Sequence, residues 1–380
     1  MGEWKNCTLS SLGTIVGGAT PSTKKPENYE GGEIPWITPK DLSGFSGRYI
    51  SCGERNITEI GLKNCSAQMM PKHSVLFSSR APIGYVAISN CDVCTNQGFK
   101  SIVPNNDTDY LFLYYLLLYK KHEIENLGSG TTFKEVSAST MKGVEVRVPI
   151  DKREQERIAG ILSALDDKIE SNAHINENLY DQMLTIFNNA RDTASWNRRK
   201  LSDVLTFFDN LRKPLSSIQR EKMEHIYPYY GATSIVDYVE DYLFEGTYIL
   251  VSEDGANVVD PAGHPLTQYT HGKFWVNNHA HIVKGTNGYS EALVYALLGT
   301  LNMQSIVTGA AQPKINQANL RNFEAVLPES NEAQELSNIL NPMLQQMILN
   351  DQENERLSAL RDTLLPQLMS GLLDISGIEL

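Results

Sequence analysis

The chain has 380 residues, 41% of them hydrophobic, and its 33 basic and 45 acidic residues give a net charge of −12. This length supports two or three domains with their own cores. No apolar run approaches roughly 18 residues, which excludes a membrane-spanning helix, and the acidic balance argues against non-specific coating of nucleic acid.

The acidic charge is concentrated in two short segments. Residues 151–195 hold 5 basic and 9 acidic residues, and residues 331–380 hold 2 and 8, whereas residues 1–150 hold 15 and 14. Local basic surfaces are therefore compatible with the larger segments, and the whole-chain charge decides little about partners.

The first third of the chain bears on localisation and metal binding. The start, MGEWKNCTLS, lacks the basic and apolar regions of a signal peptide, so we expect a cytoplasmic protein. All five cysteines lie in the first 100 residues, and an odd number is typical of free thiols. Cys91 and Cys94 form a single C-x2-C pair without the second pair that a zinc ribbon needs, so we expect no metal site. The apolar run at residues 110–119 predicts a buried helix.

The chain is internally repeated. Trp4 and Trp196 each open a unit and are followed by LSSL and LSDVL. Three further matches pair SVLFSSRAPIG (74–84) with TYILVSEDGAN (247–257), TNQGFKSIV (95–103) with VNNHAHIVK (276–284), and SGTTFKEVSASTMKGVEVRVP (129–149) with TGAAQPKINQANLRNFEAVLP (308–328). Each unit reads as a strand-rich domain followed by a long helix.

The two helical segments share one apolar seam with alternating steps of 4 and 3, the spacing of a coiled coil. In the first copy the seam is Ile158, Leu162, Leu165, Ile169, Asn172, Asn176, Leu179, Met183 and Ile186. A shift of 178 residues turns it into Leu336, Leu340, Met343, Met347, Asn350, Asn354, Leu357, Arg361 and Leu364. At Arg361 we expect neighbouring Leu360 to cover the seam, at Pro342 a kink or a helix start, and at Pro366 the helix end.

We therefore predict an α+β protein in which two similar strand-rich domains are separated by two long antiparallel coiled-coil helices, with a pseudo-two-fold internal repeat. The predicted domains cover residues 1–150 and 193–328. The central helix covers residues 151–192, and the C-terminal helix and tail cover residues 329–380.

Each copy of the apolar seam has two asparagines at its centre, where apolar residues are expected. Buried polar residues fix register at a cost in stability. We predict that Asn350 and Asn354 lie near Asn172 and Asn176, where the four amides satisfy one another.

The order of these parts is similar to that of a known family. The features are the Trp-opened domain, the SGTTFKEV segment, the VP-x-x-x-x-E-Q-x-x-I junction (148–158) and the long helix, all in duplicate. GGATPSTKKPENYEGGEIPWITPKDL (17–42), SSRAPIG (78–84) and TNQGF (95–99) add to them. Over essentially its full length the chain resembles the specificity subunit of type I restriction-modification systems. The second domain departs from the pattern, with SEDGAN in place of SSRAPIG.

The resemblance implies two target-recognition domains that each read half of a split double-stranded DNA site in the major groove, and helices that set the spacer. It implies a non-catalytic subunit that anchors two adenine methyltransferase subunits, which two motor-nuclease subunits can join. S-adenosylmethionine, ATP and Mg would belong to those partners, and this chain would hold no cofactor. The chain has no GxxxxGK[ST] loop and no Pro-Pro methyltransferase motif, as that role requires.

Arg, Lys, Asn and Gln are the side chains that read base edges, and small hydroxyls and lysines contact phosphate. The candidates in the first domain are Thr20, Ser22, Thr23, Lys24, Lys25, Lys40, Ser79, Arg80, Asn96, Gln97, Lys100, Thr131, Thr132 and Lys134. Those in the second domain are Arg212, Lys213, Tyr229, Tyr230, Asn277, Asn278, His279, Gln312 and Lys314. For Arg80 and Gln97 a structural role is a serious rival, and for the two tyrosines core packing is.

Two other hypotheses remain. The chain could be a structural adapter whose coiled coil and globular domains bind proteins, or an enzyme in its own right. His279 and His281 alternate, so they would share one face of a strand, but no third metal ligand accompanies them. We find no nucleophile, metal or carboxylate constellation that favours an enzyme.

Overall fold

The computed structural model describes residues 2–80, 82–130, 134–309, 311–375 and 377. The chain divides into two compact units. Unit 1 comprises Met1–Glu170 and Asn354–Leu380, and unit 2 comprises Ser171–Glu353. Each unit therefore combines one strand-rich domain with half of each long helix. Within the described residues no helix is long and apolar enough to cross a bilayer.

The secondary structure of unit 1 follows the chain from Trp4. Its strands are β1 (Trp4–Thr8), β2 (Gly13–Gly17), β3 (Ile34–Ile37), β4 (Tyr49–Ile50), β5 (Asn56–Ile57), β6 (Val75–Ser79), β7 (Ile83–Ser89), β8 (Cys94–Thr95), β9 (Lys100–Pro104) and β10 (Glu145–Pro149). Its helices are α1 (Glu59–Lys63), α2 (Tyr110–Asn126), α3 (Ala138–Gly143) and α4 (Lys152–Thr193), of which the part up to Glu170 belongs to unit 1.

Unit 2 has its own set of elements. Its strands are β11 (Asn197–Lys200), β12 (Leu205–Phe207), β13 (Tyr227–Tyr230), β14 (Ile235–Val239), β15 (Phe244–Glu245), β16 (Tyr248–Ser252), β17 (Thr267–Thr270), β18 (Lys273–Val276), β19 (Ala280–Gly285) and β20 (Glu324–Leu327). Its helices are α5 (Ser217–Arg220), α6 (Glu291–Leu298), α7 (Gln317–Asn322) and α8 (Ser330–Met369), of which the part up to Glu353 belongs to unit 2.

The internal repeat is confirmed by strand pairing. In unit 1 the sheets run β1-β10, β2-β9-β6-β7-β4 and β5-β3-β8, and in unit 2 they run β11-β20, β12-β19-β16-β17 and β14-β13-β18-β15. The shared pairs also agree in direction. The β3–β8 and β13–β18 pairs are parallel, and the β2–β9 and β12–β19 pairs are antiparallel. The two units therefore share one topology and differ locally at the sheet edges.

Helix α2 is the buried helix that the apolar run predicts. Its first turn is capped by Asp109, whose Oδ1 accepts a 2.8 Å hydrogen bond from the backbone N–H of Phe112. Residues 112–117 are all buried in the core of unit 1, together with Val75 and Phe77 of β6. A polar residue also holds this region in place: the buried Gln155 side chain accepts from the N–H of Asp109 and donates to the carbonyl of Pro149.

The long helices pair antiparallel inside each unit. In unit 1 Arg157 of α4 reaches the carbonyl of Ile375, and Asp166 reaches Arg361, so the partner number falls as the chain advances. In unit 2 Asn172 contacts Glu353, and Asn176 contacts Asn350. Seam residues Ile158 and Leu162 are buried in unit 1, and Met183, Leu336, Leu340 and Met347 are buried in unit 2. The predicted coiled-coil pairing is thus present in both halves.

Three expectations about α8 need correction. The helix begins at Ser330 and runs through Pro342, so Pro342 is not its start, and it continues past Pro366 to Met369. Leu360 does not cover the seam at Arg361, because Leu360 is 47% exposed. Arg361 itself pairs with the buried carboxylate of Asp166 at 2.8 Å. A charge is tolerated at this seam position because an opposite charge meets it.

Candidate nucleic-acid interface

The same turn follows the parallel strand pair in both units. In unit 1 the N–H of Asn96 donates to the carbonyl of Ile37 at 2.9 Å, and Asn96 Oδ1 accepts from the N–H of Gly98 at 2.8 Å. In unit 2 the N–H of Asn277 donates to the carbonyl of Tyr230 at 3.1 Å, and its Oδ1 accepts from the N–H of His279 at 2.8 Å. These side-chain oxygens therefore shape the turn. The next residue, Gln97 or Asn278, is exposed in each unit.

A glycine-led loop lies against this turn in unit 1. A Cβ added to Gly18 would stand 2.0 Å from the carbonyl oxygen of Asn96, so only glycine permits this close approach. The N–H of Ala19 then donates to the carbonyl of Thr95 at 3.0 Å, and the Thr20 hydroxyl donates to Oε1 of Gln97. We call residues 18–25 and 96–98 loop cluster 1.

The exposed residues of loop cluster 1 suit a contact with phosphate. Ser22, Thr23, Lys24 and Lys25 are all exposed. Neither lysine side chain has a hydrogen bond or ion pair to any described residue. Two unpaired cations and two hydroxyls on one loop are the groups that bind phosphate without reading sequence.

Other candidates in unit 1 are engaged in ion pairs. Lys40 is exposed and pairs with Glu54 at 2.6 Å, and this hydrogen bond raises the pKa of Lys40. Arg80 and Lys100 share one partner, Glu135, at 3.6 and 3.3 Å. Exposed ion pairs such as Lys40–Glu54 contribute little to stability, whereas Lys100 is only 13% exposed.

One assignment in unit 1 changes, one is consistent with the structure, and two lie outside the described residues. Ser79 is fully buried on β6, where its hydroxyl donates to the carbonyl of Gly98 at 3.1 Å, so its expected contact with DNA is not supported. Lys134 is exposed, as a DNA contact requires. Thr131 and Thr132 lie outside the described residues.

In unit 2 only part of the predicted set faces solvent. Lys213, Asn278, His279 and Gln312 are exposed. Tyr229 and Tyr230 are buried at 2% and 7% exposure, so they pack in the core, and their stacking on bases is not supported. Asn277 is also buried and committed to its turn. The aromatic segment therefore includes strand β13 of the β14-β13-β18-β15 sheet.

The structure does not support Arg212 as a DNA contact, for a different reason. Its guanidinium is 14% exposed and donates to Glu253 at 2.6 Å and to the carbonyl of Ala280 at 2.7 Å. Glu253 also pairs with Lys314 at 2.9 Å. Arg212 is thus a buried cross-link between loops, because its donors are already satisfied inside the domain.

The two histidines do not share a strand face. His279 precedes β19 and pairs with Asp254 at 2.5 Å, whereas His281 is fully buried on β19 and bonds Asp209 at 2.6 Å. The side chains of Asp209, Glu253 and His281 lie close enough to share a metal ion. The carboxylate oxygens of Glu253 already accept hydrogen bonds from Arg212 and Lys314, however. His281 Nε2 bonds the carbonyl of Ile315 at 2.8 Å. We describe this group as the unit 2 ion network.

Electrostatics keeps both carboxylates of this network ionised. Burial raises the pKa of Asp209 and of Glu253, but the hydrogen bonds and charges of the neighbouring cations outweigh it. The net pKa of Asp209 is lowered mainly by His281, and that of Glu253 mainly by Arg212 and Lys314. The pKa of Lys314 is raised in turn by its hydrogen bond to Glu253.

The two units carry reversed charges at equivalent turns. In unit 1 the backbones of Arg80 and Glu135 form an isolated antiparallel β-bridge. In unit 2 Asp254 and Lys314 form the equivalent β-bridge. The residue before the bridge is Ser79 in unit 1 and Glu253 in unit 2. Equivalent loops therefore share a shape while presenting different side chains.

The helix seam holds the predicted asparagines. Asn350 Nδ2 donates to Oδ1 of Asn176 at 2.7 Å, and Asn176 Nδ2 donates to Asp351 at 2.9 Å and to the carbonyl of Met347 at 3.2 Å. Asn172 donates to Glu353 at 2.8 Å, a charged partner that the amide-only prediction did not include. Asn354 belongs to unit 1. The pairing of Asn176 with Asn350 is confirmed.

Sequence reasoning missed the residues that join each domain to the helices. In unit 1 Arg48 is 4% exposed and bonds Asp167, Glu170 and Ser163 of α4. Also in unit 1, the Tyr115 hydroxyl donates to Asp166 at 2.6 Å. In unit 2 the Tyr269 hydroxyl donates to Asp351 of α8. The only signal available was the presence of acidic residues beside an apolar seam, and nothing identified their partners.

Comparisons with known proteins agree with this architecture. The profile of the family described as "Type I restriction modification DNA specificity domain" matches residues 1–180 and 194–359, one match per repeat. The specificity subunit of the type I restriction enzyme MjaIX from Methanocaldococcus jannaschii is 30% identical over 413 residues, covering 99% of this chain and 95% of the relative. The EcoprrI specificity subunit from Escherichia coli is 23% identical over 347 residues, covering 86% and 83%.

A solved structure has the same fold. The crystal structure of the type I restriction-modification S subunit from M. genitalium aligns with a TM-score of 0.55 at 20% sequence identity, covering 97% of this chain and 96% of that one. The family profile covers both domains, and a relative with 30% identity spans nearly the whole chain. This chain therefore belongs to the family of type I restriction-modification specificity subunits, the non-catalytic DNA-recognition components of those systems.

Proposed function

We propose that this chain reads a bipartite DNA site, with one half-site for each globular domain and a spacer of unspecified sequence between them. The observation that carries the proposal is the pair of equivalent turns. Unit 1 presents Gln97, and unit 2 presents Asn278 and His279, on the same backbone arrangement. A shared scaffold with different readers predicts two different half-sites, and thus an asymmetric motif.

The remaining exposed residues divide into base readers and phosphate binders. Gln97, positioned by Thr20, reads bases for unit 1, and Asn278 with His279 reads bases for unit 2. Phosphate contacts fall to Ser22, Thr23, Lys24, Lys25, Lys134 and Lys213, which are all exposed. The other candidates support these loops or, where they are ion-paired, reach phosphate after releasing a carboxylate. They are Lys40, Arg80, Asn96, Lys100, Gln312 and Lys314.

The helices supply the spacer and the partner surface in this proposal. The subunit anchors two methyltransferase subunits that bind S-adenosylmethionine and methylate adenine, and two motor-nuclease subunits can join. The hydrogen bonds of Asn176 with Asn350 and of Asn172 with Glu353 favour a single helix register. A one-heptad slip displaces a helix by about 10 Å, roughly three base pairs, so register acts as part of the spacer ruler.

A methylome tests the proposal directly. Cells lacking other adenine methyltransferases would express this chain with its cognate methyltransferase, and modified adenines would be mapped. We expect an asymmetric split motif. Gln97→Ala should alter only one half of the motif and Asn278→Ala only the other. A continuous motif, or no motif when both proteins are soluble and associated, would contradict the proposal.

A further inference from the structure

A concavity of about 370 Å³ opens on unit 2 beside Asn278 and His279. Its lining combines three apolar residues, Pro214, Leu215 and Val236, which we call the apolar wall, with the polar turn residues. Val236 is 53% exposed and His279 is 47% exposed, so the concavity opens to solvent. It therefore combines a branched apolar side chain with an amide donor and acceptor at the candidate base-reading surface.

The position of Val236 follows from an irregular strand pair. β13 and β14 pair with a register shift between Tyr229 and Tyr230, opposite Val236. A Cβ added to Gly231 would stand 2.6 Å from Cγ1 of Val236, so this valine lies directly over a glycine. Bulges commonly redirect a side chain out of its sheet. In unit 1 the equivalent strand, β5, has only two residues, so the apolar wall is a feature of unit 2.

The one arginine that lines this concavity is not available to a base. Arg220 donates to Asp237 at 2.6 Å and to the carbonyl of Leu215 at 2.6 Å, and it lies 4.9 Å from the ring centroid of Tyr229. His279 is paired with Asp254. The Asn278 side chain, by contrast, forms no hydrogen bond with any described residue. Guanine is read mainly by free Arg or Lys, and adenine by Asn or Gln.

We infer that this concavity recognises one A·T base pair of the second half-site. In this inference the Asn278 amide bonds the adenine edge, and Val236 contacts the thymine C5-methyl group. The adenine edge and the thymine methyl group lie side by side in the major groove, and Asn278 and Val236 both line this concavity. The inference rests on the proposed function and adds the identity of one base pair. It also adds Val236 as a residue that contacts a base, although an apolar residue is not predicted to do so from the sequence.

The test removes only the methyl group. The full chain, in complex with its methyltransferase, binds duplexes carrying the mapped site, in which each thymine of the second half-site is replaced in turn by deoxyuridine. One position should lose affinity about fourfold, the value of one buried methyl group. Val236→Ala should bind the thymine duplex about fourfold more weakly and show no further loss with deoxyuridine at that position.

The controls separate the inference from the proposal. Ile235→Ala changes the adjacent exposed residue, which does not line the concavity, and should behave as wild type. Asn278→Ala should lose discrimination between A·T and G·C at the same pair. Specific binding that is indifferent to deoxyuridine throughout the second half-site, or a second half-site without any A·T pair, would overturn the inference and leave the proposed function intact. Equal weakening of specific and random DNA by Val236→Ala would also overturn it, whereas no specific site at all would overturn the proposed function.

Discussion

Asn350 donates a 2.7 Å hydrogen bond to Asn176, which joins α8 to α4 at a buried point of unit 2. Asn176 passes the network on to Asp351, and Asp351 accepts a hydrogen bond from Tyr269 of β17. One buried polar chain therefore connects both helices and the globular domain. Such a chain stabilises a single arrangement, because any shift leaves a buried polar group without its partner.

The first prediction concerns this buried hydrogen-bond network. Asn176→Leu removes the acceptor of Asn350 and one donor to Asp351, so we expect unit 2 to lose about 2–3 kcal/mol of unfolding free energy. Urea unfolding monitored by hydrogen exchange in α8 measures it. Asn189→Leu, an exposed position on the same helix, is the matched control and should change stability by less than about 0.5 kcal/mol. An equal loss in both variants would show that the amide network is not responsible.

The second prediction concerns the unit 2 ion network. Glu253→Gln leaves the buried Arg212 with a weaker partner, and we expect a loss of about 2 kcal/mol at neutral pH. Because the pKa of Glu253 is lowered in the folded state, its contribution is present above the ordinary value of 4.5 and is lost as the pH falls through the folded pKa. Wild type should therefore lose stability on acidification more steeply than the variant.

Unit 1 offers a matched control for that network. Glu135→Gln removes the partner of Arg80 and Lys100, but the Glu135 side chain is 39% exposed. We expect a loss below about 1 kcal/mol, since exposed ion pairs contribute little. Thermal unfolding of both variants across the acidic pH range makes the comparison. A larger effect for Glu135→Gln would contradict the assignment of the buried network to unit 2.

The third prediction concerns Asp351, whose pKa is shifted in the opposite direction to that of Glu253. Burial raises the pKa of Asp351 above its ordinary value of 3.8, and the hydrogen bond from Tyr269 only partly offsets this. The stabilising protonated form is fully present below 3.8 and is lost as the pH rises through the folded pKa. Asp351→Asn should therefore remove this loss and be at least as stable as wild type at neutral pH. Denaturant titrations at several pH values measure it, and a variant that is less stable only at neutral pH would refute the assignment.

The fourth prediction concerns loop cluster 1. Replacing Lys24 and Lys25 by Ala should weaken binding to all DNA sequences and lower the slope of log affinity against log salt by about 1 for each lysine. The methylated motif should stay unchanged, because phosphate contacts carry no sequence information. Lys63→Ala, an exposed lysine beyond the cluster, is the control. An altered motif with an unchanged salt slope would assign these lysines to base reading instead.

Periodicity and repetition determined much of this protein before any coordinates. The 4-and-3 spacing of the seam is a local property of one helix face, and its recurrence after 178 residues required a second, equivalent partner. The asparagines interrupt both copies of that spacing, which is why the contact between Asn176 and Asn350 was predictable. The repeated strand motifs likewise anticipated the matched sheets, because equivalent strands occur in the same order in both units and form equivalent pairs.

The tertiary structure alone decided which polar residues remain free. Arg212, Ser79 and Tyr229 looked like readers of DNA, but Arg212 meets Glu253 41 residues later, Ser79 meets Gly98, and Tyr229 lies in the core. Val236 carries no polar signal and reaches the surface through a strand irregularity. A side chain is available to a ligand only when no distant partner satisfies it. That condition depends on contacts between segments far apart in the chain, which sequence spacing does not encode.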